Sequence, residues 1–547
     1  MRNGAHHRKR GHVDQAIEQV RADYDSVPYE SHAFPQTAPG HLAAVTHLFG
    51  LDPPDVACAR VLEIGCSAGG NVIPFAAWHP ACHAVGLDLS AVQIDQGRRR
   101  IRALGLTNIE LLQGDIASMD LAPLGTFDYI ICHGVYSWVP ENVQRAILSA
   151  FKRLLTPNGV AYISYNVYPG WKSKEIVRDA MLLRGGGMGT PQQKLSYARG
   201  MIDFLEEVAP ADSILAKALS EHRALTANAR DYYLLHEYLE SFNTPCYFLK
   251  LASRVGEHGL VYLADAAPST MFAVNYGDKI ATPLLAECGH SQGLVEQYLD
   301  FVVNRTFRQS LLVHGEWGPR IQYKLDRTRF AGFHFAARTP STGDPTRLDD
   351  SPQEYGEPGA TIGTNDPGVK AALEVLAARW PWTISRRDLL DAVRERLDAA
   401  GVEPAADQQD RIDELLEQLI IRGLGRYRLE PMSADPPFTP LRLSEPGRRM
   451  AKAARADKHA YVVNPWHEEI LLSAVDRHLL PLLDGTRDRD ALVDTLLTSV
   501  RAGLLWFERD GRRLTGNAEL RDAIAEHVDA LSGRLIAMKL SGAGVSE

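Results

Sequence analysis

Hydrophobic and polar positions follow two different periods along the first third of the chain. Short apolar runs bounded by Gly, Asp or Asn predict five β-strands, at residues 60–65, 83–89, 109–115, 127–134 and 159–166. Three of the segments between these strands carry apolar residues at helical spacing. Strands that alternate with helices of about 10 to 15 residues are typical of parallel, doubly wound sheets. The pattern therefore predicts an α/β fold with a Rossmann-like core, whose ligand site lies beyond the carboxyl ends of the strands.

The pattern beyond the fifth strand is mostly helical. The pattern predicts a helical lid at residues 172–243. It also predicts two further strands, within 247–266 and at 306–314. Residues 339–368 are rich in Pro, Gly, Asp and Thr, which is typical of a linker or a long loop. The helical periods that follow, with GRYRLEP at 425–431, predict a mostly α, winged-helix-like region.

The clearest chemical signal is VLEIGCSAGGN at 61–71, where the first strand ends in an acid and a Gly-rich turn. A dinucleotide fingerprint requires glycine at position 67, where Ser67 stands, because pyrophosphate needs close backbone approach there. S-adenosyl-L-methionine carries no phosphate, and its pattern of acid-x-G-x-G-x-G is matched at Glu63, Gly65 and Gly69. The turn therefore favours S-adenosylmethionine. The cofactor-binding candidates of the turn are Glu63, Gly65, Cys66, Ser67, Gly69 and Asn71.

Carboxylates stand at the ends of the next two strands. Asp88 follows the Gly-rich turn by about 20 residues, where a carboxylate accepts ribose hydroxyls. Asp115 is predicted to accept the adenine amino hydrogen while Ile116 packs against the ring. The alternative for each Asp is to cap the helix that follows. The other cofactor-binding candidates, after the second and fourth strands, are Leu89, Gln93, His133 and Gly134.

At these motifs the chain resembles the class I S-adenosylmethionine-dependent methyltransferases. More narrowly, it resembles rickettsial-type outer-membrane-protein lysine methyltransferases with a methyltransferase regulatory domain. The resemblance covers the motifs above together with segments at 24–42, 232–248 and 298–314, and it extends more loosely to 479–497. It implies an enzyme that N-methylates lysine side chains of a protein or peptide. Two alternatives remain open: a small-molecule or peptide-tailoring N- or O-methyltransferase, and a non-catalytic cofactor-binding scaffold.

The stretch SYNVYPGW, at the end of the fifth strand, predicts the acceptor pocket. Tyr165, Tyr168 and Trp138 are predicted to wall a channel for an alkylammonium side chain, and Asn166 to orient the amine. Packing beneath the lid is the alternative for the rings. Tyr29 is a candidate to cover the sulfonium, with packing as an equal alternative. Methyl transfer to a well-placed amine requires no dedicated base, so none is assigned.

These inferences divide the chain into five parts. Residues 1–45 form an N-terminal helical, cofactor-covering segment, and 46–175 form the Rossmann-like cofactor-binding core. Residues 176–338 hold a helical insertion and regulatory domain with the last core strands. A linker at 339–368 leads to the winged-helix-like domain or domains of 369–547.

Composition narrows the classes of partner. The net charge of −9 argues against nucleic-acid binding, and from Trp466 onward 10 Lys and Arg face 14 Asp and Glu. The C-terminal region is therefore expected to dock protein or peptide. No apolar run reaches about 18 residues, so no membrane insertion is expected. Six scattered cysteines lack metal-ligand spacing, which predicts no metal site and a reducing, cytoplasmic location. The oligomeric state stays open.

Overall fold

The structure is a computed structural model. It describes residues 31–187, 189–227, 231–432, 440–456 and 461–540.

Helices make up most of the regular structure. In chain order they are α1 (Pro39–Leu48), α2 (Val72–Trp78), α3 (Ala91–Leu104), α4 (Glu141–Leu154), α5 (Trp171–Gly185), α6 (Pro191–Val208), α7 (Ile214–Thr226), α8 (Asp231–Tyr238), α9 (Phe248–Glu257), α10 (Asp278–Cys288), α11 (Gln292–Val302), α12 (Pro367–Arg379), α13 (Arg386–Ala399), α14 (Gln408–Ile421), α15 (Glu445–Ala453), α16 (Ala474–Leu479), α17 (Arg489–Arg501), α18 (Asn517–Asp529) and α19 (Leu531–Ala537).

The strands form one large sheet and several small ones. The large sheet contains β1 (Arg60–Ile64), β2 (His83–Asp88), β3 (Ile109–Gln113), β4 (Phe127–Cys132), β5 (Leu155–Asn166), β6 (Leu260–Asp265) and β7 (Phe307–His314). The small sheets contain β8 (His334–Ala337), β9 (Gln353–Glu357), β10 (Ala360–Thr364), β11 (Ile384–Ser385), β12 (Gly425–Arg428), β13 (Tyr461–Val463), β14 (Glu469–Leu471), β15 (Glu508–Arg509) and β16 (Arg512–Arg513).

The large sheet has the order β3-β2-β1-β4-β5-β7-β6. Strands β1 to β5 pair in parallel, and β7 runs antiparallel to both of its neighbours. The chain proceeds outward from β1 to β3 and then returns to place β4 on the other side of β1. This reversal creates a switch point between β1 and β4, where the βα loops diverge and leave room for a ligand. The predicted seven-stranded α/β core is confirmed.

Helices α5 to α8 form the predicted helical insertion after β5. They pack around an apolar cluster of their own that includes Val177, Met181, Ala198 and Leu219. A second small cluster lies between α10 and α11 and includes Leu284 and Leu299. The insertion is thus held by its own packing while its first helix continues directly from the site edge of the sheet.

The segment 339–368 differs from the linker that its composition predicts. It contains the hairpin of β9 and β10, in which Tyr355 is fully buried. The ammonium of Lys370 is also buried and donates to the carbonyl oxygens of Arg347, Asp349 and Ser351 at 2.6–3.0 Å. These bonds attach the segment to α12, because a buried ammonium must be neutralised or fully hydrogen-bonded.

The boundary of the following module also lies earlier than predicted. Strand β8 precedes the segment 339–368 in sequence, yet it is the central strand between β11 and β12. The three-stranded sheet packs with α12 to α14, and β12 contacts α1 of the core region. Among the described residues, no helix has the length and apolar character needed to span a bilayer.

Candidate active site

A cavity of about 390 Å³ opens at the switch point, beyond the carboxyl ends of β1, β2, β4 and β5. Its size lies within the usual range of small-ligand pockets, about 300 to 1,000 Å³. Its walls also include residues 31–34, the start of α5, the end of α8 and the start of β7. The helical insertion and the segment before α1 therefore complete a site that the parallel strands begin.

The Gly-rich turn forms one wall of the cavity. Gly65 has φ +76°, and a Cβ there would lie 2.3 Å from Cγ2 of Val135, so a larger residue would displace the neighbouring loop. Ser67 also lies in the left-handed region, at φ +52°. Its backbone N–H donates to Oδ2 of Asp88 at 2.7 Å, which joins the turn to the end of β2.

Asp88 and the helix cap are separate residues. Oδ1 of Asp88 accepts from the N–H of Ser90 at 2.9 Å, while the Ser90 hydroxyl accepts from the N–H of Gln93. Ser90 is therefore the N-cap of α3, and Asp88 ties the turn to the start of that helix. Asp88 also lines the cavity, and a carboxylate has about four lone-pair sites for hydrogen bonds.

Glu63 and Asn71 form a buried polar pair at the base of the turn. Nδ2 of Asn71 donates to Oε1 of Glu63 at 2.9 Å, and Oε2 of Glu63 is buried without a hydrogen-bond partner among the described residues. Burial raises the pKa of Glu63 to about 8, although the bond from Asn71 opposes the rise. The hydroxyl of Ser67 is likewise buried and unpartnered within the described chain. Both groups line the cavity, so it offers an acidic and a hydroxyl group for a polar ligand.

His133 stands at the end of β4 as a neutral imidazole. Burial lowers its pKa to about 4. Its Nδ1 is 2.9 Å from the Tyr162 hydroxyl, and its ring lies 4.0 Å from the ring of Phe34. A neutral ring at this position adds no positive charge near a cationic ligand.

The carboxylate after β3 is more exposed. Asp115 accepts from the N–H of Ala117 at 2.9 Å and from the hydroxyl of Ser118 at 3.0 Å, so it forms a local turn. Asp115 and Ile116 nevertheless line the cavity, as do Leu89, Gln93 and Gly134.

The far end of the cavity is aromatic and carries one ion pair. The rings of Trp138 and Trp171 meet edge to face with centroids 5.9 Å apart. Nζ of Lys174 lies 4.9 Å from the Trp171 ring and 3.4 Å from Oε1 of Glu237. Asn166 donates from Nδ2 to Oδ1 of Asn243 at 2.9 Å, which orients its amide at the end of β5.

The structure brings most of the predicted site residues to this cavity. Those that line it are Glu63, Gly65, Cys66, Ser67, Asn71, Asp88, Leu89, Gln93, Asp115, Ile116, His133, Gly134, Trp138 and Asn166. Gly69 is outside the lining, where its N–H closes the turn by donating to the carbonyl of Cys66 at 2.8 Å. Tyr29 lies outside the described residues.

Tyr165 and Tyr168 do not line the cavity, in contrast to the predicted channel. Side chains alternate along a strand, so Tyr165 and Asn166 point to opposite faces. Tyr165 is 1% exposed, and its hydroxyl is 3.0 Å from that of Ser310. The hydroxyl of Tyr168 donates to Glu175 at 2.5 Å. For these two rings the packing alternative describes the observed contacts.

Several cavity residues were not among the predicted site residues. They are Ser31, His32, Phe34, Trp171, Lys174, His236, Glu237, Thr306 and Phe307. Trp171 ends the SYNVYPGW stretch, so its ring was a detectable signal. Phe307 begins β7, and the others lie on helices or loops whose position depends on tertiary packing.

Comparison with known proteins identifies the class of enzyme. A methyltransferase domain matches residues 61–159, a predicted methyltransferase regulatory domain matches 230–314, and a PKMT C-terminal winged helix domain matches 447–539. The protein RP789 of Rickettsia prowazekii (strain Madrid E) is 31% identical over 506 residues, covering 91% of this chain and 90% of that one. The structure of PKMT2 from Rickettsia typhi in complex with AdoHcy has a TM-score of 0.80 at 28% identity, covering 94% of this chain and 100% of that one.

The chain belongs to this family of S-adenosylmethionine-dependent methyltransferases. The match over 447–539 also confirms the predicted winged-helix character of the C-terminal region. The cavity of this methyltransferase fits its cofactor in chemistry, because the unpartnered Oε2 of Glu63 suits an ammonium group and the Ser67 hydroxyl suits a carboxylate.

Proposed function

We propose that this methyltransferase N-methylates lysine side chains of a protein substrate. The observation that carries the proposal is the far end of the cavity, where two tryptophan rings and a carboxylate converge. Aromatic faces attract alkylammonium groups through their quadrupole, and Glu237 supplies the opposite charge. The resident Lys174 supports the proposal, because its ammonium lies 4.9 Å from the Trp171 ring and 3.4 Å from Oε1 of Glu237.

The cofactor contacts proposed here follow from the cavity wall. The carboxylate of Asp88 would hold the ribose hydroxyls, and Asp115 with Ile116 would hold the adenine. Glu63 would accept the cofactor's ammonium. Bound S-adenosylmethionine supplies an electrophilic methyl group on a sulfonium, and the residues of this chain position an acceptor opposite it.

The acceptor must lose a proton before it can attack. A lysine of pKa about 10.4 is uncharged at pH 7 at a cost of roughly 4.6 kcal/mol. Desolvation in the cavity and the nearby sulfonium charge both lower that cost. Orientation between Trp138, Trp171 and Asn166 supplies further acceleration, since well-placed reactants gain about 7–11 kcal/mol. The proposal therefore needs no dedicated base.

The likeness to PKMT2 supports the substrate class, because the two structures match over 94% of this chain and 100% of that one. We also propose a cytoplasmic location, since the six cysteines are free and five of them are buried. The acidic C-terminal region supports docking of a protein and not of nucleic acid.

The test is methylation of candidate proteins with isotope-labelled S-adenosylmethionine, read by tandem mass spectrometry. We expect the label on lysine Nε. Glu237→Gln should raise the KM for the protein about tenfold while the affinity for S-adenosylhomocysteine stays within twofold. The matched control is Glu207→Gln, an exposed position on the same insertion.

Label found on hydroxyl oxygens or on small molecules alone would replace the proposal with the tailoring alternative. Cofactor binding without any transfer would favour the scaffold alternative.

A further inference from the structure

Residues 31–34 lie directly on the Gly-rich turn. The Ser31 hydroxyl accepts from the N–H of Gly70 at 2.7 Å. A Cβ at Gly70 would lie 2.2 Å from the carbonyl oxygen of Ser31, so the two backbones touch. Ser31, His32 and Phe34 all line the cofactor cavity. This short segment is therefore part of the cavity wall.

The segment is held from its outer side by the hairpin of β13 and β14, residues 461–471. The Tyr461 hydroxyl donates to the carbonyl of Ser31 at 2.8 Å. Oε1 of Glu469 accepts from the N–H of Ala33 at 2.7 Å, and Oε2 lies 3.0 Å from Nδ1 of His32. The partners are separated by more than four hundred residues, so these bonds form only when the C-terminal domain docks on the core.

The tip of the hairpin reaches the base of the Gly-rich turn. Nε2 of His467 lies 2.8 Å from Oδ1 of Asn71. The same oxygen accepts from the N–H of Phe34 at 3.0 Å, so Oδ1 is an acceptor and Nε2–H of His467 is the donor. Burial lowers the pKa of His467 to about 3, so the imidazole is neutral and suits this role. From His467 the hydrogen bonds run through Asn71 to Glu63 in the cavity wall.

Hydrogen bonds within the C-terminal domain fix the conformation of the hairpin tip. His467 has φ +61°, and Oδ1 of Asn464 accepts from the N–H groups of Trp466 and Glu468 at 2.9 and 3.0 Å. The carboxylate of Glu468 is paired with Nζ of Lys539 at 2.7 Å, on the chain after α19. These bonds connect the hairpin tip to the last helix of the winged-helix domain.

The hairpin also forms hydrogen bonds with the helices that follow β1 and β2. Nε1 of Trp78, at the end of α2, donates to the carbonyl of Val463 at 2.8 Å. Nη1 of Arg100, on α3, donates to the Tyr461 hydroxyl at 3.0 Å. The hairpin is thus anchored on the two helices that follow the cofactor-binding strands.

We infer that the hairpin 461–471 is a structural part of the cofactor site, and that His467, Tyr461 and Glu469 are positioning residues for S-adenosylmethionine. None of these three side chains lines the cavity. They hold Asn71 and residues 31–34, which complete the wall against which the cofactor's ammonium end binds. Docking of the C-terminal domain and cofactor affinity are therefore linked, and the linkage is reciprocal by thermodynamic necessity.

The experiment measures S-adenosylhomocysteine binding to the full chain by calorimetry. Tyr461→Phe, His467→Ala and Glu469→Ala should each raise Kd about five- to tenfold. Glu469→Gln retains an acceptor for the N–H of Ala33 and should recover most of the loss. Glu508→Ala, at an exposed position in the same domain, should leave Kd within twofold of the parent. A parental Kd in all three variants, with unchanged melting temperature, would overturn the inference.

A second measurement uses the unmodified chain, so that it does not depend on how the variants fold. Saturating S-adenosylhomocysteine should slow amide hydrogen exchange at residues 461–471 as well as at 65–71. NAD, which the Gly-rich turn does not suit, is the control ligand. Slower exchange at 65–71 with no change at 461–471 would show that the hairpin is not coupled to the site.

Discussion

Glu63 is a carboxylate whose surroundings disfavour its charge. Burial raises its pKa to about 8, and a bound ammonium would reverse this by favouring the ionised form. At pH 6.5 we therefore expect binding of S-adenosylhomocysteine to release about one proton. Glu63→Gln should abolish the release. Calorimetry in two buffers of different ionisation enthalpy measures the proton count, and equal counts for the two proteins would rule out this contact.

The raised pKa of Glu63 also makes the stability of the ligand-free protein depend on pH. A pKa raised from its usual value of 4.5 to about 8 stabilises the fold at low pH, and this contribution is lost as pH rises from 4.5 through 8. Relative to Glu63→Gln, the parent should lose stability across that window. A parent that gains stability there would contradict the assignment of the pKa.

Asp88 has an observed role in holding the Gly-rich turn and a proposed role in holding the ribose. Asp88→Ala removes the acceptor for the N–H groups of Ser67 and Ser90 as well as the proposed ribose contact. We expect cofactor binding to weaken by about 1.5–3 kcal/mol, the range for hydrogen bonds to a charged group. Asp95→Ala, at an exposed position on α3, is the control. Calorimetry that gives the parent's affinity for Asp88→Ala would leave Asp88 with a backbone role alone.

At the residue scale, sequence patterns predicted the cofactor end of the site better than the acceptor end. Glu63, Asp88 and Asp115 lie at strand ends, and the carboxyl ends of parallel strands lie at the same edge of the sheet. Tyr165 failed as a channel residue because neighbouring side chains on a strand face opposite ways, and the sequence alone does not fix which face meets the cavity. Glu237 lies on a helix of the insertion, so only tertiary packing brings it to the site.

Strand β7 is fixed to its neighbouring helix by a buried charge cluster. The guanidinium of Arg308 is fully buried, with Nε 2.9 Å from Asp300 and Nη2 2.9 Å from Glu296, both on α11. Its Nη1 lies 3.6 Å from Asp265 at the end of β6. The cluster thus secures the start of β7, where Phe307 lines the cavity.

Removing this arginine should be costly because Glu296 and Asp265 would lose their cationic partner while they stay buried, and Asp300 would keep only its pair with Arg305. We expect Arg308→Leu to lower the free energy of unfolding by about 3–5 kcal/mol. Arg145→Leu breaks an exposed pair with Glu141 and should cost less than about 1 kcal/mol. Urea unfolding of the two variants decides the point, and equal losses would mean that the cluster is not stabilising.

Periodicity predicted the elements of the large sheet because each strand contains a group of apolar residues that the sheet buries. The hairpin of β9 and β10 escaped prediction for the opposite reason. Its strands, QEYGE and ATIGT, bury one large side chain, Tyr355, and are otherwise polar, small or partly exposed. Such a segment has the composition of a loop, and packing against neighbouring elements gives it structure.

At the scale of the whole molecule, ligand binding should separate the cofactor from its rivals. Binding to the folded state stabilises it by mass action, by about 2.7 kcal/mol at a ligand concentration of one hundred times Kd. We expect S-adenosylmethionine and S-adenosylhomocysteine to raise the melting temperature, and NAD to leave it unchanged. A scanning calorimetry shift with NAD alone would contradict the assignment of the site.

The position of β8 determines where the sequences of two related enzymes can be joined without dividing a sheet between them. A recombinant protein joined within 339–368 would combine β8 of one parent with β11 and β12 of the other, in a single sheet. Crossing over before His334 would transfer that sheet intact. In a natural or engineered recombinant, the junction between the two parental sequences should therefore lie before this strand. It should not lie in the Pro- and Gly-rich stretch after the strand.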